Sequence, residues 1–318
     1  MRIVLFTSLL PAFAALDQLR SEGWLKAVVS TDKIPAQNGQ LKIVCENAGI
    51  KFLEVTQSSL VLVVEQLFAE VKPDAAIMFG FSYRIPAIIY QMPLLGFYNV
   101  HFSLLPAYRG PDPVFHQLKN GEQVGGVSIH KVARRFDSGD IVLQQPFPLF
   151  PGETWGLCFS RHIPTAAGMV MELLRKLNEG TFLPTLAQDE QRASYHKRLD
   201  IDDTTIKWDI QTAAQIDSLV NACNPAAGGA LTFFRQLPVR VFEVSQVEGQ
   251  SGQDVQPGTV IHAGADGVYV QCLNRQMLRI NILSLNEGVI SGAKFAALGI
   301  QAGDIFGASE AMQPASVH

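Results

Sequence analysis

The sequence predicts an α/β domain built on a mostly parallel sheet, followed by a smaller β-rich domain. Three features predict it. Short apolar, β-branched runs alternate with helical patterns through the first half; a polar stretch at about 180–206 breaks that pattern; short period-2 runs with glycine turns follow. Strands alternating with helices argue for βαβ units. Short strands with glycine turns argue for a small barrel or sandwich.

The elements follow in order. "RIVLF" (2–6) is the first strand; a turn at Pro11 and an amphipathic helix with Asp17, Arg20 and Glu22 come next. Those charges, with no cleavage pattern and no run of bilayer length, argue against a signal peptide or a membrane span and make the cytoplasm the expected location. "KAVVS" (26–30), "KFLEV" (51–55), "DAAIMFG" (74–80) and "FYNVH" (97–101) are the next strands. Between two of them, Leu60, Val63, Val64, Leu67 and Phe68 recur at helical spacing in 58–71. "GPDPVFHQLKNG" reads as a helix with Asp112 as N-cap, Pro113 in first position and Gly121 as terminator. "GGVSIHKV" and "DIVLQQPF" read as strands, and a long helix is expected at about 155–178. Beyond the polar stretch come a helix near 210–222 and the runs "VRVFEV", "GTVIHA", "GVYVQCL" and "MLRINILSL". The expected domains are therefore 1–190 and 207–318, joined by a linker at 191–206.

Bulk properties narrow the function classes. The chain has 318 residues, 47% hydrophobic and 17% charged, enough for two domains with a sizeable core. The net charge of -4 gives no overall push towards nucleic acid or an anionic membrane. Cys45, Cys158, Cys223 and Cys272 are scattered without metal spacing, as expected of buried thiols in a reducing compartment; no metal is expected.

The chemistry-bearing stretch is "YNVHFSLLPAYRG". An open parallel sheet binds ligands outside the carboxyl ends of its strands. Asn99 and His101 sit at such an end, and their alternate spacing points both to one side. An amide NH2 and an imidazole NH aimed at one point stabilise an oxyanion. Alone, the two fit a satisfied structural pair better than a functional one. The later "RRFDSGDI" contains a tight turn that opens the next strand. If it folds back, Asp137 would raise the His101 pKa and orient its ring. His116 and His130 read as structural; His162, His196, His262 and His318 have no partner pattern. No G-x-S-x-G elbow marks a serine hydrolase, and "FTSLLPAFAAL" stands where a dinucleotide fingerprint would be.

Asn99-x-His101, Ser103–Leu104–Leu105–Pro106 and Asp137–Ser138–Gly139, in that order, resemble the folate-dependent formyltransferases. "YHKRLDIDDTTIKWD" and "NACNPAAGG" are similar to that family's later segments, so the resemblance covers nearly the whole chain. It implies a Rossmann-like catalytic domain, an OB-like C-terminal barrel and N10-formyltetrahydrofolate as co-substrate. It implies that a neutral amine attacks the formyl carbon, with Asn99, His101 and Asp137 as the catalytic residues: Asn99 and His101 as donors to the oxyanion, Asp137 with His101 as the proton relay. It places the pterin between 79–86 and 132–139, with Phe81, Tyr83, Arg84, Ile85, Leu104, Phe136 and Gly139 as cofactor-binding candidates, backbone groups reading the pterin edge.

The amine is less determined. The resemblance implies either a small-molecule amine, such as a nucleotide-linked amino sugar, or initiator methionyl-tRNA. "FSYRIP" and "IHKVARRFDSGDI" look more like the amino-sugar enzymes, with Arg134 and Arg135 as acceptor-binding candidates for a phosphate or carboxylate. The tRNA enzymes carry a basic insertion where "STDKIPAQNGQLK" stands here, and the Trp-Pro after Asn-Pro is replaced by "NPAAGG". From residue 205 onward there are six basic and nine acidic residues, a balance that leans away from tRNA phosphates. The small amine is therefore the preferred acceptor and tRNA is disfavoured. A folate- or nucleotide-binding module without catalysis, and a formyl-folate hydrolase, stay open.

Overall fold

A computed structural model describes residues 1–9, 12–33, 35–252 and 254–307. The turn expected at Pro11, and His318, lie outside the described residues. The chain divides into two units: residues 1–113, 124–148 and 159–197 form one, and residues 114–123, 149–158 and 198–318 the other.

In chain order the first elements are β1 (Ile3–Phe6), α1 (Phe13–Ser21), β2 (Leu25–Thr31), α2 (Pro35–Asn47), β3 (Lys51–Val55), α3 (Leu60–Val71), β4 (Ala75–Phe79), α4 (Ala87–Tyr90), β5 (Phe97–His101), α5 (Pro113–Lys119), β6 (Val124–Lys131), β7 (Ile141–Pro148) and α6 (Trp155–Asn178). The seven strands form one sheet in the order β3-β2-β1-β4-β5-β6-β7. The first five pair in parallel. Then the direction reverses, and β5–β6 and β6–β7 are antiparallel. The reversal matters for the site: it sets Asn99 directly opposite His130 across the β5–β6 ladder.

Apolar residues of β1, β2 and β4 meet those of α3 in a core that includes Val4, Phe6, Val29, Val64, Leu67 and Phe68. Full burial of such side chains contributes about 1.5–3 kcal/mol each. The helical spacing in 58–71 is this face: Leu60, Val64, Leu67 and Phe68 are buried. Before α5, Asp112 has φ 57°, outside the extended conformation that an N-cap ordinarily takes. Gly121, at φ 70°, follows the helix end as expected of a terminator.

The second unit carries α7 (Ala213–Cys223), β8 (Ala230–Phe234), β9 (Leu237–Val247), β10 (Val260–Gly264), β11 (Gly267–Gln271), β12 (Met277–Leu285), β13 (Gly288–Ser291), α8 (Gly292–Ala297) and β14 (Phe306–Gly307). Its antiparallel sheet runs β10-β11-β12-β9-β8-β14, with β13 beside β12. The sheet curls until its ends meet: Val260 N donates to Asp304 O at 2.7 Å, and Phe306 N to Gly258 O at 2.8 Å. Curling and edge bonding resolve the sequence's choice between sandwich and barrel in favour of a small barrel. A buried Trp208 supports it, its indole N–H donating to Thr232 Oγ1 at 2.9 Å. Among the described residues no helix is long and apolar enough to cross a membrane.

Candidate active site

Asn99 and His101 occupy one face of β5 at its C-terminal end, and His130 faces Asn99 from β6. The loop from β6 to β7 brings Asp137 back to them. It is a tight loop: a Cβ on Gly139 would lie 1.8 Å from Lys131 O, and Asp137 itself sits at φ 50°. Asp tolerates this left-handed conformation better than most residues.

Asp137 is the hub. Asn99 Nδ2 donates to its Oδ1 at 3.1 Å, and the Gly110 N–H to its Oδ2 at 2.8 Å. His130 Nε2 lies 3.4 Å and His101 Nδ1 3.8 Å from Oδ1. The far nitrogens fix the tautomers. His101 Nε2 is 2.7 Å from Tyr108 O, and His130 Nδ1 is 2.8 Å from Lys131 O. A carbonyl only accepts, so these nitrogens carry the protons. In the neutral ring, His101 Nδ1 is therefore bare and turned towards Asp137.

The arrangement differs in one respect from two donors aimed at a common point. Asn99 Nδ2 is engaged by Asp137 and lies 3.1 Å from His130 Nε2, while the His101 N–H points to Tyr108 O. The cluster instead presents a carboxylate and a bare imidazole nitrogen side by side, two proton acceptors, with Asn99 as the adjacent donor. His130, read as structural from the sequence, belongs to the cluster. The signal available was its place in a buried antiparallel strand, which only the β5–β6 register reveals.

Electrostatics follow from burial. Burial pushes the His101 pKa below the ordinary imidazole value, against the Asp137 carboxylate and the Tyr108 bond, which raise it; the His130 charge adds to the lowering. Burial pushes the Asp137 carboxyl up, but the positive charges that His101 and His130 carry when protonated, with the bond from the Gly110 N–H, outweigh it and hold it well below the carboxylate range. At neutral pH an ionised Asp137 therefore stands beside a neutral His101. Both folded pKa values lie below the unfolded ones, so the unfolded chain binds more protons as pH falls. Each contribution to stability is present above the unfolded pKa, about 6.5 for His and about 3.9 for Asp, and is lost as pH falls through the folded value. Urea unfolding at pH 7.5 and pH 5 should show the wild type losing stability on acidification, and His101→Gln losing less.

The residues expected at the folate divide into two groups. Phe81, Tyr83 and Ile85 pack into or against the apolar core of the first unit, and the Tyr83 hydroxyl donates to Asp32. Leu104 is half-buried against Gly126, where a Cβ would lie 2.2 Å from its Cδ2. Tyr83 and Ile85 are buried, and Phe81 and Leu104 are half-buried. Arg84 instead reaches out: its guanidinium donates to Arg134 O and lies 5.8 Å from the Phe136 ring centre. It joins the two loops.

A cavity of about 480 Å³ opens there, its lining including Arg84, Arg109, Arg134, Arg135, Phe136, Glu190, Ser194 and Tyr195. It gathers Arg84 and Phe136, expected at the folate, with Arg134 and Arg135, expected at the acceptor. The sequence reading missed Arg109, Glu190 and Tyr195; the last two come from the polar stretch that carries no periodicity.

Comparisons with known proteins place the chain. Residues 1–163 match the formyl transferase family, and residues 198–297 match the formyl transferase C-terminal domain. The chain is 31% identical to a methionyl-tRNA formyltransferase of Fervidobacterium nodosum over 272 residues, 81% of this chain and 84% of that one. It is 30% identical to that of Aromatoleum aromaticum over 63% of its own length, and spans 61% of the relative. The fold is shared with an N-formyltransferase from Helicobacter canadensis in complex with folinic acid and dTDP-3-aminofucose, at a TM-score of 0.67 and 14% identity, covering 88% of this chain and 98% of the other. It is also shared with a HypX variant from Aquifex aeolicus, at a TM-score of 0.66 and 16% identity, covering 96% of this chain and 51% of that chain. The chain therefore belongs to the formyl transferase family, the folate-dependent formyltransferases that its Asn-x-His and Asp-x-Gly elements resemble.

Proposed function

We propose that this chain transfers a formyl group from N10-formyltetrahydrofolate to the primary amine of a small acceptor bearing a phosphate or carboxylate, such as a nucleotide-linked amino sugar. The convergence of Asn99, His101 and His130 on an ionised Asp137 carries the reading. When bound, the folate supplies an activated formyl carbon and a leaving nitrogen. Arg84 and Phe136, with the backbone of 79–86 and 132–139, would hold it; an exposed aromatic face and a guanidinium suit a flat ring system with an anionic tail. Asp137 and the bare His101 Nδ1 would take the proton that the attacking amine gives up and return it to the leaving folate nitrogen. Asn99 Nδ2 would serve the developing oxyanion by exchanging its present bond to Asp137 Oδ1 or His130 Nε2. Arg134 and Arg135 would anchor the acceptor's anionic group. In this reading residues 1–190 are the catalytic domain, 191–206 the connection and 207–318 an OB-like barrel, working in the cytoplasm.

Arg134 and Arg135 in the lining of the cavity support an acceptor with an anionic group. The sequence relatives support a second reading, in which the acceptor is initiator methionyl-tRNA: both reported above carry that name. The acidic balance from residue 205 onward therefore does not by itself turn tRNA away; a local basic surface would suffice for phosphate contacts.

The test is tetrahydrofolate release from N10-formyltetrahydrofolate with each acceptor. The small-acceptor reading expects saturable turnover with a nucleotide-linked amino sugar. Saturable formylation of charged initiator tRNA that declines steeply with salt, with no turnover of amino sugars, would replace it with the second reading. Folate binding with no turnover on either would leave a binding module.

A further inference from the structure

Residues 186–196 of the first unit are tied down on both sides of Asp137. Leu186 and Ile141 exchange backbone bonds at 2.8 and 2.9 Å. Arg109 N donates to Ser194 O and His196 N to Arg109 O, each at 2.8 Å. The Tyr108 N–H donates to Ser194 Oγ at 2.8 Å. Between these anchors lies Gln188. Its Nε2 donates to Asp137 O at 2.7 Å and to Gly139 O at 2.6 Å. Its Oε1 accepts from Arg109 Nε at 3.0 Å and Nη2 at 2.8 Å. Both N–H groups and both lone pairs of the amide are thereby used.

Arg109 is held in turn. Its side chain is buried, and Glu190 receives its Nη2 at 2.9 Å and Nη1 at 3.2 Å. The next residue, Gly110, donates to the Asp137 carboxylate. A closed ring results: Asp137 carboxylate, Gly110 N–H, Arg109, Gln188, and back to the Asp137 carbonyl. Asp137 sits in a left-handed conformation, which persists only where its surroundings over-determine it. The ring does so.

We propose that Gln188 is a positioning residue for formyl transfer, its amide locking the Asp137 turn to Arg109 and so fixing the carboxylate against Asn99 and His101. This rests on the role given to Asp137 above. The competing view is that Gln188 only provides Arg109 with a buried acceptor. The two differ in which half of the amide matters: positioning needs Nε2 as well as Oε1, accommodation of Arg109 needs Oε1 alone.

Gln188→Met removes both halves at similar volume, and Gln188→Glu keeps an acceptor for Arg109 while losing the donors. With N10-formyltetrahydrofolate and whichever of a nucleotide-linked amino sugar or charged initiator tRNA is turned over, both variants should lose about 100-fold in kcat, the cost of a displaced catalytic group, with acceptor KM little changed. In an Asp137→Asn background Gln188→Met should cost nothing further. An acceptor-free readout is the NMR titration of His101. Asp137 raises its midpoint and His130 lowers it, so a displaced carboxylate in Gln188→Met should bring the midpoint down. Should Gln188→Met not fold, Arg109→Lys breaks the same ring from the other side, keeping the charge and losing the fork, with the same expected losses. Wild-type kcat and an unmoved His101 midpoint in a folded Gln188→Met would overturn the proposal, as would full activity in Gln188→Glu. If Asp137→Asn alone keeps normal turnover, the catalytic reading of Asp137 fails, while a lowered His101 midpoint in Gln188→Met still upholds the clamp.

Discussion

Asp137→Asn and His101→Ala should each lower kcat by about 10²–10⁴, read as tetrahydrofolate release at saturating folate and acceptor. Asn at position 137 keeps an oxygen for the Gly110 N–H but loses the charge and with it the proton acceptor. Ala at position 101 removes the bare Nδ1 that faces the carboxylate and frees Tyr108 O. On the proposed mechanism the two groups handle one proton together. The double variant should therefore lose little more than the worse single one, as residues acting as a unit do. Near-normal turnover in either single variant would remove that residue from the mechanism.

Gly110→Ala should damage stability and activity together. Gly110 adopts φ +99°, and a Cβ there would lie 2.1 Å from His196 O, a backbone atom held in place by the Arg109–His196 pairing. The conformation alone costs about 1–3 kcal/mol for a residue with a side chain. The collision adds to that by pushing the 194–196 segment away. Because the Gly110 N–H donates to Asp137, the displacement reaches the carboxylate, and kcat should fall by about 100-fold. Gly180→Ala is the control: Gly180 has φ +68° with nothing within 4 Å of a Cβ. It should show the conformational cost in urea unfolding and leave turnover unchanged. Equal effects at both positions would mean that the contact with His196 is unimportant.

The alternating half of the fold was legible because its signals are periodic. "KFLEV" and "FYNVH" are strands at the expected limits, and the amphipathic run in 58–71 becomes α3. The reversal at β6 was not legible, since strand direction leaves no trace in a short apolar run. His130 was missed with it, because a lone histidine on a strand acquires meaning only from the residue across the ladder. Asn99, His101 and Asp137 could be named together from their resemblance to a family; composition alone left them a strand-end pair and a turn residue. Gln188 and Arg109 were invisible for another reason. They meet across 79 residues of sequence, and Gln188 reaches Asp137 across 51. Single side-chain hydrogen bonds at such separations follow no period. The folate candidates show the same limit. Phe81, Tyr83 and Ile85 sit in the expected loop, yet their side chains pack into or against the apolar core.

The most direct measurement is product stoichiometry. The chain would be incubated with N10-formyltetrahydrofolate labelled in the formyl carbon, with a nucleotide-linked amino sugar and charged initiator tRNA in parallel. The account predicts one formamide formed per tetrahydrofolate released on one of these amines, and both products slowed together by about 10²–10⁴ with Asp137→Asn. Tetrahydrofolate released with the label recovered as free formate, at the same rate with and without amine, would contradict it.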